Sequence, residues 1–149
     1  MARFTYRLQS VFNLKIQMEN QTKMEFGQAV AALNAEIEKL EGMKARLAEY
    51  VEEGRRLRNE GLDILKMKEN EQSVKIMQEL IVGQTENVKL AERTVERVRV
   101  KLTNAIQERQ AQERLRERAF EEYIEEEKHA EAKEIDELVS YRYGVGDNG

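Results

Sequence analysis

The sequence predicts an all-α chain, an antiparallel two-helix coiled-coil hairpin with the second helix the longer. Three observations predict it. Proline is absent from the 149 residues, aromatic residues make up 6% and charged residues 36%. A chain without proline keeps its helical hydrogen-bond donors uninterrupted, and an abundance of Glu, Lys, Arg, Gln, Leu and Ala reads as long helix or coiled coil. Second, Phe26, Val30, Leu33, Ile37, Leu40, Leu47 and Val51 alternate at spacings of four and three, broken only by Lys44. Third, Val74, Met77, Ile81, Val88, Ala91, Val95, Val98, Leu102 and Ala105 repeat the pattern, with Gln84 as a polar gap. So narrow a stripe needs a second helix to cover it. Two such stripes separated by a break predict a chain that folds back on itself. A charged, aromatic-poor composition also suits disorder, but two sustained seams argue against it for residues 26–105.

Residues 3–24 are helical in pattern but less regular. Phe4, Leu8, Val11, Phe12, Leu14, Ile16 and Met18 form a wider stripe, which implies either a thicker contact with the end of the second helix or a face kept for a partner. The first helix is expected over about 3–59. Gly54 takes a seam position, and glycine inside a helix costs about 1 kcal/mol relative to alanine, so weakening is expected there. Gly61 suits a helix end and Asp63 suits a cap. The turn is expected at about 60–69, the second helix at about 70–143, and a frayed tail at 144–149. The whole chain, 1–149, reads as one hairpin.

Seam positions 26, 33, 40, 47 and 54 set against 102, 95, 88, 81 and 74 centre the fold-back near residue 64, in agreement with the break signals. Charge points the same way. Residues 1–24 carry Arg3, Arg7, Lys15 and Lys23 against Glu19, a net +3. Residues 104–127, which face them in this register, carry four arginines and eight glutamates, a net −4. Each exposed pair contributes only a few tenths of a kcal/mol.

Several function classes fall away. A formal charge of −4 gives no general attraction to nucleic acid. Arg93, Arg97, Arg99, Lys101 and Arg109 are interleaved with glutamates, with no aromatic residue among them on which a base would stack. Without cysteine there is neither a disulfide framework nor a thiolate nucleophile. His129 is the only histidine, and it reads as a solvated residue on a charged face. The segment Gly54 to Gly61 lacks the lysine and strand context of a phosphate-binding loop. No cofactor, metal or catalytic group is expected. The triplet Asn20-Gln21-Thr22 matches a glycosylation acceptor but carries no meaning without secretion. The opening residues lack the apolar run of a signal peptide and no window suits a membrane helix, so a soluble, cytoplasmic chain is expected.

The acidic stretch 119–138 holds nine acids against Lys128 and Lys133, a net −7. Glu121 and Glu125, Glu122 and Glu126, and Glu127 and Glu131 are like charges one turn apart, which weakens a helix. Glu134, Asp136 and Glu137 crowd the C-terminal end, where the helix dipole disfavours anions. The stretch is either a solvating acidic face or a tip that meets a basic surface.

The two ends carry a family likeness. Phe4-Thr5-Tyr6-Arg7-Leu8-Gln9, followed by Val11, Phe12, Leu14 and Lys15, resembles the start of FliJ-type proteins. Phe120-Glu121-Glu122-Tyr123, followed by Lys133-Glu134-Ile135-Asp136-Glu137-Leu138, resembles their close. The resemblance implies a non-enzymatic, stalk-like adaptor of the flagellar type III export apparatus, in the setting of motility and chemotaxis. It implies a flagellar export ATPase ring as partner for the end bearing both termini, with Phe4, Arg7, Leu8, Phe12, Tyr123, Glu134, Asp136 and Leu138 as contact residues. It implies contact between the early second helix and the cytoplasmic domain of a membrane export gate, through Ile76, Leu80, Gly83 and Asn87, and the escort of export chaperones. Gly83 departs from the family pattern, where a small side chain with better helix propensity is usual. The location implied is cytoplasmic, peripheral to the cell membrane at the flagellar base, and the chain is expected to be a monomer. The alternative is a self-associating structural spacer. A stalk subunit of a rotary synthase fits less well, because no α/β domain lies between the helices.

Overall fold

The computed structural model describes residues 3–61 and 63–147. They form a helical hairpin of two long helices, α1 (Gln9–Glu60, 52 residues) and α2 (Ile64–Asp147, 84 residues). Among the described residues there is no strand. The all-α hairpin with a longer second helix is therefore as expected. The helix bounds differ from expectation at three places.

The break is shorter than the predicted 60–69. Gly61 adopts φ +138°, a backbone conformation open to glycine, and it ends α1. The Asp63 carboxylate accepts from the Lys66 backbone N–H at 3.2 Å, and the Met67 N–H donates to the Asp63 carbonyl at 3.1 Å. Asp63 thus caps α2 directly, and the helix starts at Ile64 rather than near 70. At the far end α2 continues to Asp147, so most of the predicted frayed tail is helical; residues 148 and 149 lie outside the described residues. At the start, α1 begins at Gln9 rather than near residue 3. Residues 3–6 are non-helical because Phe4 and Tyr6 both engage α2. Side chains two apart share a face in extended chain but diverge on a helix.

The chain divides into two compact units, residues 20–103 and residues 1–19 with 104–149. In the first, α2 carries the seam as predicted. Met77, Gln84, Val88 and Val98 are buried, and Val74, Ile81, Ala91, Val95 and Leu102 are half-buried. On α1 the predicted seam widens at its start and shifts by one residue nearer the turn. Phe26, Leu33, Leu40, Leu47 and Gly54 face inward as expected. At the alternate positions Val30 and Ile37 are half-buried as expected, but Ala29 and Glu36 share the inner side with them, and Met43 and Tyr50 replace Lys44 and Val51 there. Ala29 is buried, whereas Lys44 and Val51 are exposed.

The reason is polar. Gln84 donates its amide to the Glu36 backbone carbonyl at 2.9 Å and to the Glu36 carboxylate, and it accepts from the Asn87 amide at 3.2 Å. This arrangement satisfies a buried amide, and an unsatisfied one costs several kcal/mol. Nearer the turn, Asn70 donates to the Tyr50 carbonyl at 2.8 Å and lies across Gly54, where a Cβ atom would collide with its amide oxygen. Gly54 is thus a point of close approach inside an unbroken helix rather than a weak point. It meets Asn70, one turn earlier than the expected Val74. Lys101 pairs with Glu25 at 2.9 Å.

In the second unit the seam changes character. Buried Glu19 accepts from Arg109 Nε at 2.6 Å, and a second Arg109 nitrogen bonds Glu113 at 2.6 Å. Lys15 pairs with Glu108 at 3.0 Å, Tyr6 donates its hydroxyl to Gln112 at 3.1 Å, and Arg116 donates to Gln9 at 3.1 Å. The expected opposite charges do meet. The ordered core here is a polar ladder, with Tyr6 and Ala105 as buried hydrophobic members. For a part-buried ion pair of this kind the cost of desolvation offsets much of the attraction.

Candidate interaction surfaces

Among the described residues no cluster of His, Cys, Asp or Glu is grouped to hold a metal ion, and no helix is long and apolar enough to cross a membrane. What the hairpin offers is faces. Three of them carry apolar side chains outward.

The first face lies in the unit of residues 20–103. Ile76 and Leu80 are 50% and 49% exposed, and Gly83 and Asn87 are exposed as well. Spacings of four, three and four put all four on one side of α2. Each lies one residue before a seam position, Met77, Ile81, Gln84 and Val88, so the face is rotated about 100° from the core. The structure therefore brings these residues together and leaves them outside the hairpin core. Nothing lies within 4 Å of the place where a Gly83 Cβ would stand. Leu90, 55% exposed, extends the stripe by one more step of three. It was not among the sequence candidates, although the same spacing points to it. Asn87 is tied to the core by its bond to Gln84.

The second and third faces lie in the unit that holds both ends. Tyr123 and Phe4 belong to an aromatic cluster. The Phe4 ring meets Phe120 edge-on at 5.1 Å and an interplanar angle of 78°, and Tyr123 at 5.4 Å. The Arg116 guanidinium stands 5.8 Å from the Phe4 ring centre, a cation over a π face. These two candidate residues thus do structural duty, holding residues 3–8 against α2. Phe12 is half-buried, whereas Arg7 and Leu8 face outward. Leu8, just before α1, and Val11, Leu14 and Met18 on it form an exposed apolar stripe. The wide stripe is thus divided: Phe4, Phe12 and Ile16 are half-buried, and the rest face outward, with hydrogen-bonding side chains sharing the inner face.

Glu134, Asp136 and Leu138 are all exposed on the last turns of α2, where Leu138 is joined by Ile135 and Val139. The structure does not bring them to Phe4 and Tyr123 in one patch; they lie three to four turns further along the helix. The strongest electrostatic feature of this unit is Arg109. The hydrogen bond to Glu19 raises its guanidinium above its ordinary range, against opposing desolvation and with further help from Glu113. Arg109 therefore keeps its positive charge throughout the neutral range.

Residues 4–147 match the model of a protein family described as the flagellar FliJ protein. Among solved structures, the chain is similar to one described as a YscO homolog, CT670, from Chlamydia trachomatis. The TM-score is 0.72 at 24% identity, covering 99% of each chain. At that identity the likeness speaks for the fold. No curated protein sequence matches the chain.

Proposed function

The chain belongs to the flagellar FliJ family, and from that premise we propose that it is a non-enzymatic, stalk-like adaptor of a type III export apparatus. It docks the unit holding both ends into an export ATPase ring. It presents Ile76, Leu80, Gly83 and Asn87 to the cytoplasmic part of an export gate, and it escorts export chaperones. Through these partners it works at the inner side of the cell membrane.

The observation that carries this reading is the outward placement of apolar side chains on both helices. A hairpin that served only to fold would gain nothing from exposing Ile76, Leu80, Leu14 and Leu138, and apolar groups gathered on one face mark contact with other proteins. Co-elution of the purified chain with the export ATPase, together with stimulated ATP hydrolysis, is the expected result. Variants F12D and L138D are expected to weaken both. Absence of association and of stimulation counts against the proposal, and a defined dimer in sedimentation would favour a self-associating spacer instead.

A further inference from the structure

Along the last turns of α2 the heptad pattern continues on the solvent side. Phe120, Ile124, Ile135, Leu138 and Val139 are 46%, 37%, 59%, 63% and 45% exposed. Ile124, Lys128, Glu131, Ile135 and Leu138 follow steps of four, three, four and three, a seam with two polar positions, and Phe120 and Val139 lie beside its two ends. Every described side chain from Lys128 to Gly144 is exposed.

Carboxylates flank this stripe. Residues 119–138 hold nine acids against two lysines, a net −7. Among the described residues no carboxylate from Glu121 to Glu137 is held in an ion pair, whereas Glu19, Glu25, Glu108 and Glu113 all are. The like-charged pairs one turn apart weaken the helix that carries them. An apolar seam with unneutralised anionic margins is half of a coiled coil.

We propose that this face docks a cationic amphipathic helix of another protein. Its apolar residues fill the seam between Phe120 and Val139, and its Lys or Arg side chains neutralise the glutamates on the margins. Charge selects this occupant. A second copy would set nine acids against nine, and anionic lipid or nucleic acid would be repelled. A cationic helix removes the repulsion and covers the apolar stripe in one step. The inference rests on the adaptor reading for taking the face as a partner surface, and it adds the chemistry of that partner.

The probes are three synthetic helices of about three heptads each. One has leucine at the seam positions and lysine flanks, one has the same seam with glutamate flanks, and one has the lysine composition in scrambled order. Fluorescence anisotropy against the full chain is expected to show binding of the first, weakening with added salt. The scrambled peptide is expected to bind at least about tenfold more weakly, and the glutamate peptide not at all. In the double variant I135D/L138D, whose helicity is checked by circular dichroism, affinity for the lysine peptide falls by at least about tenfold. Equal binding of the ordered and scrambled peptides would reduce the face to plain charge attraction and overturn the proposal. So would binding of the glutamate peptide, adsorption of the chain to phosphatidylglycerol vesicles through this stripe, or a dimer abolished by I135D/L138D. If the lysine peptide binds but the export ATPase does not, the ring assignment fails and the docking chemistry stands. The converse result sinks the chemistry alone.

Discussion

Gly54 and Asn70 supply a prediction whose magnitude follows from geometry. Alanine in a helix interior is favoured over glycine by about 1 kcal/mol, so Gly54→Ala would ordinarily stabilise α1. Here the new methyl group collides with the Asn70 amide oxygen, and the Asn70 Cγ stands 3.3 Å from it. The amide must swing away, which breaks its 2.8 Å bond to the Tyr50 carbonyl. Such a bond contributes about 1 kcal/mol net, and more is lost if the displaced amide stays buried and unpaired. The gain and the loss cancel, so Gly54→Ala alone leaves stability unchanged or slightly lower. In an Asn70→Ala background the collision is gone, and the same change gains its full ~1 kcal/mol. Urea unfolding of the four proteins by far-UV circular dichroism then gives a coupling of about 1–2 kcal/mol, well outside the ~0.3–0.5 kcal/mol scatter of independent sites. Gly54→Ala stabilising by the same amount in both backgrounds would refute the close-approach reading.

Three further outcomes are expected. Replacing buried Gln84 with leucine raises stability by about 1–2 kcal/mol through added apolar burial. It also removes the donor that holds Glu36 in register, so species larger than a monomer appear in sedimentation velocity. Phe4→Ala removes two ring contacts of about 0.5–1.5 kcal/mol each, and amide exchange accelerates first at residues 9–12, where α1 begins. The double change I76D/L80D alters two half-exposed residues outside the seam. It is expected to move the melting temperature by less than about 3 °C while abolishing binding to a purified export-gate cytoplasmic domain.

The legible part of the fold was the part written in apolar spacing. The α2 seam from Val74 to Ala105 could be read residue by residue, because its line of Val, Ile, Met, Leu and Ala is both the most apolar line and the inward one. On α1 these two properties separate. Val51 is exposed while Tyr50 faces inward, and Ala29 and Glu36 share the inner side with half-buried Val30 and Ile37, because the Gln84–Glu36 and Asn70–Tyr50 bonds fix the rotation of the helix. Hydropathy has no way to register a hydrogen bond made across the hairpin.

The polar ladder of Glu19, Arg109, Gln112 and Arg116 was hidden for the same reason. A run of charged residues looks like a solvated face until the opposite strand of partners is in place. The candidate faces were legible as spacing alone. Ile76, Leu80, Gly83 and Asn87 share a side of α2 at any register, whereas the duty of Phe4 and Tyr123 within an aromatic cluster depends on residues 3–6 leaving the helical path.

Hydrogen–deuterium exchange of the chain, alone and with the export ATPase, tests the central claim most directly. Docking through the unit that holds both ends predicts new protection within residues 3–18 and 120–143, with exchange at residues 76–90 unchanged. Protection confined to residues 64–90, or none anywhere at saturating ATPase, would contradict it.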